Sequence, residues 1–183
     1  MKKSLLTLAA FVAVMGAGAV QAGTNVGQWT ASAGVLWTNT DHDRGLDDDF
    51  SLSISGGYAM SEKWDFGLNL FAGNHDRVGS IGESTIRGVT FDFNRVFSRD
   101  ARLSPYILVG AGIVDQFRPG LSVADKEVVS RVGGGAVADL MEFGGGHKLQ
   151  VRAEAAARTS IGRHITDLTG SVALQVAFGA GGN

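Results

Sequence analysis

Apolar side chains recur at every second position in a series of segments, and this period constrains the fold more than any other feature of the chain. The clearest segment sets Phe50, Leu52, Ile54, Gly56 and Tyr58 against Ser51, Ser53, Ser55 and Gly57. A period of two places alternate side chains on opposite faces of a β-strand. Eight segments show it, at about residues 26–37, 50–58, 64–72, 89–94, 105–114, 127–140, 149–158 and 171–178. The fifth is apolar on both faces, so its phase stays unassigned.

The connections between these segments alternate in length. Polar connections at about 38–49, 73–84, 115–126 and 160–169 are on average longer than those near 59–63, 95–103 and 141–148. Long loops on one side and short turns on the other are the plan of an outer-membrane barrel. The sequence therefore predicts an all-β fold, an eight-stranded antiparallel up-and-down transmembrane β-barrel.

The first residues have the pattern of an export signal. Two lysines, Lys2 and Lys3, precede an apolar stretch from Leu5 to Val20, and Val20 and Ala22 provide the small residues of a cleavage site. We predict a signal peptide at 1–22 and one barrel domain at 23–183. A membrane anchor is the alternative, but 16 residues are short for a spanning helix.

Composition excludes several classes of function. The chain contains no cysteine, so it has no disulfide framework or thiolate metal site. Without Lys2 and Lys3, 14 Lys and Arg residues stand against 18 Asp and Glu, a net charge near −4. This balance argues against a nucleic-acid partner, which requires a basic patch.

Alternation alone does not say which face of the sheet points inward. A soluble lipocalin-like barrel would bury the apolar face, and a membrane barrel would turn it to lipid. Aromatic residues near the strand ends favour the membrane, because such rings prefer its two interfaces. The predicted aromatic girdle consists of Trp29, Trp37, Phe50, Tyr58, Trp64, Phe93 and Phe178.

The polar face carries acids and arginines in near balance. These residues are Asp65, Asp92, Arg131, Asp139, Arg152, Glu154 and Arg158. The interior of an eight-stranded barrel is just wide enough for side chains to fill, and buried charges there must pair. We therefore predict a charge network that plugs the lumen, with Asp65, Asp92 or Asp139 and Glu154 as partners of the arginines.

Several short motifs occur in an order that resembles outer-membrane protein A-like β-barrels. They are Trp29–Gly34, the acidic loop from Asp41, Ser55–Tyr58 before Trp64, Ser104–Tyr106 before Gly110–Gly112, Gly133–Gly135 and Arg152–Glu154. The resemblance covers 26 to 178 and implies a location in the cell outer membrane. It implies a role in envelope integrity, adhesion or slow solute permeation. Members of this family often continue into a peptidoglycan-binding domain, which we expect to be absent here.

The resemblance also bears on partners. We expect contact with outer-membrane lipid and lipopolysaccharide, a monomeric state, and recognition by the barrel-assembly machinery. Ser171, Ala173, Val176 and Phe178 approximate the terminal signal that this machinery reads, although alanine stands where glycine is usual.

The sequence predicts no catalytic residue, no cofactor and no metal site. Some small barrels modify the acyl chains of lipid A, and this enzymatic role is the alternative function. The strand-borne His-x-Ser arrangement of the deacylase barrels is absent, although His164 follows Ser160 and precedes Asp167 in one loop. The acidic loop 41–49 offers oxygen ligands for a divalent cation. We favour a solvated loop, because its spacing departs from that of calcium-binding loops.

Overall fold

Eight antiparallel strands close into a barrel in chain order, with β1 paired to both β2 and β8. The computed structural model describes residues 24–79, 82–117 and 125–179. The strands are β1 Trp29–Asn39, β2 Asp49–Ala59, β3 Trp64–Asp76, β4 Glu83–Val96, β5 Leu103–Phe117, β6 Asp125–Phe143, β7 His147–Ser160 and β8 Thr166–Phe178. The prediction of an eight-stranded up-and-down barrel is confirmed. The predicted signal peptide at 1–22 lies outside the described residues.

A short 3₁₀ helix, His42–Arg44, lies in the loop between β1 and β2. The end of the barrel at which β1, β3, β5 and β7 terminate and β2, β4, β6 and β8 begin is here called the loop end. The opposite end, with the connections β2–β3, β4–β5 and β6–β7, the start of β1 and the end of β8, is here called the turn end. Among the described residues, no helix is long and apolar enough to cross a membrane.

The strand register sends the apolar rows outward and the polar rows inward. Leu52, Ile54, Val132 and Leu174 are among the large apolar side chains that the barrel exposes, whereas Asp92 is fully buried inside. Closure of the sheet gives every strand two hydrogen-bonded neighbours, so no strand edge faces the lipid along the main wall.

Strand β5 takes its phase from its neighbours. Val109 pairs with Phe93 and Val132, both of which point outward, so the odd-numbered residues of β5 face out. Tyr106 and Leu108 consequently face the lumen and are buried. Apolar residues occupy both faces of β5 because its outward face contacts lipid and its inward face contributes to a buried apolar cluster.

The strands run further toward the loop end than the sequence indicates. The connections predicted at 73–84 and 160–169 shrink, because β3 continues to Asp76, β4 starts at Glu83, β7 ends at Ser160 and β8 starts at Thr166. Apolar alternation fades where both faces become polar, but backbone pairing needs no particular side chain. At the turn end, β6 similarly continues to Phe143, past a register shift between Asp139 and Met141.

Gly110 lies on β5 beside the Asp92 carboxylate, where a side chain has no room. A Cβ atom there would fall on Asp92 Oδ1 and 2.6 Å from the carbonyl oxygen of Phe91. We expect Gly110→Ala to destabilise the barrel by about 1–3 kcal/mol through overpacking. Thermal unfolding in bilayers measures the change.

Gly56 provides the matched control on the lipid-facing wall. The nearest atom to a Cβ at this position is the Thr30 carbonyl oxygen, at 3.8 Å. Gly56→Ala should change stability by less than about 0.5 kcal/mol. Equal effects of the two substitutions would contradict the tight packing at Gly110.

Candidate functional site

The lumen is crossed near its middle by a network of buried charges, here called the central cluster: Asp92, Tyr106, Arg131, Arg152 and Glu154. Arg131 donates from Nη1 to Asp92 Oδ2 at 2.6 Å and from Nη2 to Glu154 Oε1. Arg152 Nη2 and the Tyr106 hydroxyl both donate to Glu154 Oε2, at 2.8 and 2.7 Å. Two arginines therefore balance two carboxylates, and the cluster has no net charge.

The strands make room for these long side chains by placing glycine opposite them. Gly110 pairs with Arg131 across β5 and β6, and Gly135 pairs with Glu154 across β6 and β7. The Arg152 guanidinium lies over the Tyr106 ring, 4.6 Å from its centroid, where the ring face attracts a cation. The aromatic ring and the carboxylate together hold Arg152 across the lumen.

A second network, the outer cluster, closes the lumen at the loop end. It consists of Arg44, Glu127, Arg158 and Asp167, and it too has no net charge. Arg44 donates from Nη1 and Nη2 to the two carboxylate oxygens of Glu127, at 3.1 and 2.9 Å. Its Nε lies 2.8 Å from Asp167 Oδ1, and Arg158 Nη2 lies 2.8 Å from Asp167 Oδ2.

Arg44 reaches this position because the first loop folds into the mouth of the barrel. Leu46 packs with Leu36, Phe71, Ile86, Val114 and Val129 in a buried apolar cluster. Asp41 accepts from the backbone N–H groups of Thr166 and Asp43, at 2.9 and 3.1 Å. The loop is thereby fixed on both sides of Arg44.

The pKa values of Asp41 and Arg44 in this loop are shifted by the groups that contact them. The backbone N–H groups of Thr166 and Asp43 hold the pKa of Asp41 below its ordinary value. Burial opposes the charge of Arg44, but the carboxylates of Asp167 and Glu127 outweigh it and raise the pKa of that guanidinium. Arg44 therefore stays charged, and it is 4% exposed.

Arg99 lies at the turn end, in the connection between β4 and β5. It donates to Asp65 Oδ1 at 2.5 Å and to the Thr24 carbonyl oxygen at 2.6 Å. Its other hydrogen bonds reach the carbonyl oxygens of Ser61 and Glu62. The Arg99 side chain thus links the segment before β1 to the connection between β2 and β3.

Within the described part of the barrel, two small cavities lie on opposite sides of the central cluster. One, of about 30 Å³, lies toward Arg99, and the other, of about 40 Å³, lies toward Arg158. Arg152 lines both cavities. Each has room for a few water molecules at most, because one water needs about 10–15 Å³ of such volume.

The predicted lumen residues all point inward, but they form several clusters rather than one. Asp92, Arg131, Arg152 and Glu154 meet in the central cluster. The remaining three have partners that the sequence did not indicate: Arg158 pairs with Asp167, Asp65 with Arg99, and Asp139 with Lys148.

Sequence reasoning missed Arg44, Arg99, Glu127, Lys148 and Asp167. Glu127 lies at the start of the predicted segment 127–140 and follows the inward phase of β6, but it was overlooked. Lys148 and Asp167 follow the inward phase of β7 and β8 and lie just before the predicted segments, so longer strands would have included them. Arg44 and Arg99 lie in connections, where no periodicity marks an inward side chain.

The predicted girdle residues lie on the outward face. Trp29 pairs with Tyr58 and Phe178, and Trp37 pairs with Phe50. The Trp29 and Tyr58 rings are 4.8 Å apart. Tyr58 is half-buried, whereas Trp29, Trp37, Phe50, Trp64, Phe93 and Phe178 are exposed.

The loop histidine His164 has, among the described residues, no carboxylate partner of the kind that a catalytic triad requires. Asp167 is held by Arg44 and Arg158 and is not available to orient an imidazole. Within the described ranges, no group of three or more His, Cys, Asp or Glu residues could hold a metal ion.

A sequence model of the outer membrane protein beta-barrel domain matches residues 7–180. The chain belongs to this family. It therefore lies in the cell outer membrane, which excludes the soluble lipocalin-like alternative, and its outward apolar rows face lipid. No curated protein sequence gives a significant match.

Several solved structures of outer-membrane proteins are similar to this chain in fold. Neisserial surface protein A superposes with a TM-score of 0.61 at 12% identity, covering 82% of this chain and 96% of that one. The N-terminal barrel of Pseudomonas aeruginosa OprF gives 0.56 at 10% identity, over 84% and 99% of the two chains. Ail, the attachment invasion locus protein of Yersinia pestis, gives 0.54 at 15% identity, over 84% and 99%.

Proposed function

We propose that this protein is a non-enzymatic envelope barrel with a closed lumen, acting as a structural and interaction element of the outer membrane. The observation that carries the proposal is the pair of neutral charge networks that cross the lumen at its centre and at its loop end. Envelope integrity and adhesion fit a closed barrel better than solute permeation does.

The central cluster is a barrier to ions. Arg131 and Glu154 are each 9% exposed, and their charges are matched by hydrogen-bonded partners. Displacing one of them would leave a buried charge without its partner, which typically costs about 3–5 kcal/mol. Ions would therefore have to break the network rather than pass beside it.

The outer cluster adds a second barrier in series. Arg44 and Leu46 enter the mouth from the first loop, and both are buried. Opening the central cluster alone would join the two cavities but would leave this mouth shut. Continuous water requires that both networks open.

An interaction role rests on the exposed loops. The first loop carries Asp43, Asp47 and Asp48 on the surface, and Asp76 is exposed at the end of β3, away from the buried clusters. Ail has been crystallised with the heparin analogue sucrose octasulfate, so a barrel of this fold binds a ligand. A closed barrel can present its loops to a partner without opening the lumen.

Ion conductance in planar lipid bilayers tests the closed lumen. We expect the unmodified protein, Arg44→Ala and Glu154→Ala each to show no steady conductance. The double variant Arg44→Ala/Glu154→Ala should show openings, because both barriers are then removed. Steady conductance of the unmodified protein would overturn the proposal, as would a fully conducting Glu154→Ala variant.

The enzymatic alternative has its own test. Purified protein incubated with lipopolysaccharide should leave the mass of lipid A unchanged. Loss or gain of an acyl chain, dependent on His164 or Ser160, would replace the structural role with the modification of lipid A.

A further inference from the structure

A cavity of about 40 Å³ inside the lumen, here called the inner chamber, lies between the central cluster and the outer cluster. Its lining includes Arg131 and Arg152 from the central cluster and Arg158 from the outer cluster. Part of the remaining wall comes from β8, β1 and β2, whose inward residues there are small: Ser171, Ser32 and Ser53. Long cationic side chains therefore meet a wall of hydroxyl groups across a space that no side chain fills.

The lining of the inner chamber carries more positive than negative charge. Its three arginines stand against one acid among the described residues, Glu154, and three positive charges minus one negative charge leave two positive units. Asp92 and Asp167 balance Arg131 and Arg158 but do not line the chamber. Both carboxylate oxygens of Glu154 already accept hydrogen bonds from arginine. Because near charges outweigh distant ones, the potential inside the chamber is positive, although each cluster as a whole is neutral.

Arg152 has hydrogen-bond donors that its carboxylate partner does not use. Among the described residues it donates one hydrogen bond, from Nη2 to Glu154 Oε2, although a guanidinium carries several N–H groups. The side chain points into the lumen and is still 18% exposed. Ser53 and Ser171 also point inward and are half-buried, so hydroxyl donors line the same space. The unused N–H groups require an acceptor inside the barrel, because an unpaired polar group is costly there.

We propose that the inner chamber holds one small monovalent anion of the size of chloride, between Arg152 and the hydroxyl groups. The anion accepts from the unused N–H groups, and the hydroxyl groups turn their hydrogen atoms toward it. A water molecule would satisfy the same donors, but it would leave the positive potential uncompensated. A halide is only slightly larger than water, so it fits a cavity of about 40 Å³, whereas a polyatomic organic anion does not. The ion enters as the barrel folds, before the two clusters separate the chamber from bulk solvent.

Thermal unfolding of the protein after refolding in sodium chloride or in sodium gluconate tests the site. At equal concentration the two salts screen surface charges alike, and only chloride is small enough for the chamber. We expect the melting temperature to be about 2–4 °C higher in chloride, because a ligand that binds only the folded state stabilises it. Equal melting temperatures in the two salts would overturn the proposal.

Variants of the lining assign the effect to the chamber. Arg152→Gln removes the principal donor and should abolish the difference between the two salts, whatever its stability in gluconate. Ser171→Val replaces a hydroxyl group with methyl groups and should reduce the difference. Thr30→Val is the matched control, because Thr30 lines the cavity on the other side of the central cluster, and it should keep the full difference. A full difference in both Arg152→Gln and Ser171→Val would place the anion elsewhere and overturn the proposal.

Bromide locates the ion directly, because it scatters X-rays anomalously and replaces chloride in such sites. Crystals of the unmodified protein refolded in sodium bromide should show an anomalous peak in the inner chamber, within hydrogen-bond distance of the Arg152 guanidinium. Water alone in the chamber, with no anomalous peak there, would contradict the proposed site even if the two salts differed in their effect on melting.

Discussion

Replacing Glu154 with alanine should cause the largest loss of stability among substitutions inside the barrel, about 3–5 kcal/mol. This carboxylate accepts from Arg131, Arg152 and the Tyr106 hydroxyl. Arg131 would keep Asp92, but Arg152 would lose the carboxylate that accepts its hydrogen bond while it keeps its contact with the Tyr106 ring. Equilibrium unfolding by urea in lipid vesicles measures the free energy.

Glu83→Ala is the control, because Glu83 is exposed at the start of β4. It should change the free energy of unfolding by less than about 0.5 kcal/mol. The double variant Arg152→Ala/Glu154→Ala should recover part of the loss, since the unpaired guanidinium is gone. If Glu154→Ala behaves as Glu83→Ala does, the lumen is hydrated and the central cluster contributes nothing.

Leu174→Arg should impair insertion of the folded barrel by about 2–4 kcal/mol. Leu174 lies halfway along β8, opposite Ala33 in the middle of β1, and its side chain is 56% exposed on the lipid face. An arginine near the middle of the bilayer loses its hydration. The folded fraction after dilution from urea into vesicles measures the effect.

Leu168→Arg is matched in strand, face and exposure, at 54%. It lies at the loop end beyond Trp37, so the guanidinium can reach the headgroups, and the cost should be about 0–1 kcal/mol. Ser53→Ala, on the lumen side, should also cost little. Equal costs for Leu168→Arg and Leu174→Arg would contradict the assigned position of the membrane.

The sequence predicted which side chains face outward in most strands, because the period of two is a property of each strand by itself. Ser53 and Leu52 take opposite faces wherever β2 lies, so no knowledge of its neighbours is needed. Strand β5 carries apolar residues on both faces, and only its register with Phe93 and Val132 decides which row meets lipid. Its phase is therefore a property of the assembled sheet.

Pairings inside the lumen were harder to predict than the residues themselves. Arg131, Arg152 and Glu154 point inward by parity, but parity does not say which charges share a height in the barrel. Strand tilt and stagger decide that Arg158 meets Asp167 rather than Asp65. The position of Arg44 could not be predicted from the sequence, because no periodic pattern marks the inward side chains of a loop. Its burial depends on how the whole loop folds.

The membership of the two clusters implies an order of assembly. The central cluster draws all five residues from β4 to β7, which are consecutive strands, so it is complete once those hairpins pair. The outer cluster joins the first loop to β8, with Arg44 and Asp167 separated by 123 positions in the chain. Contacts between such distant segments form late in folding, because closing a long loop costs entropy first. The central cluster can thus hold an open, half-built sheet together, and the outer cluster locks the seam between β1 and β8 after these two strands pair.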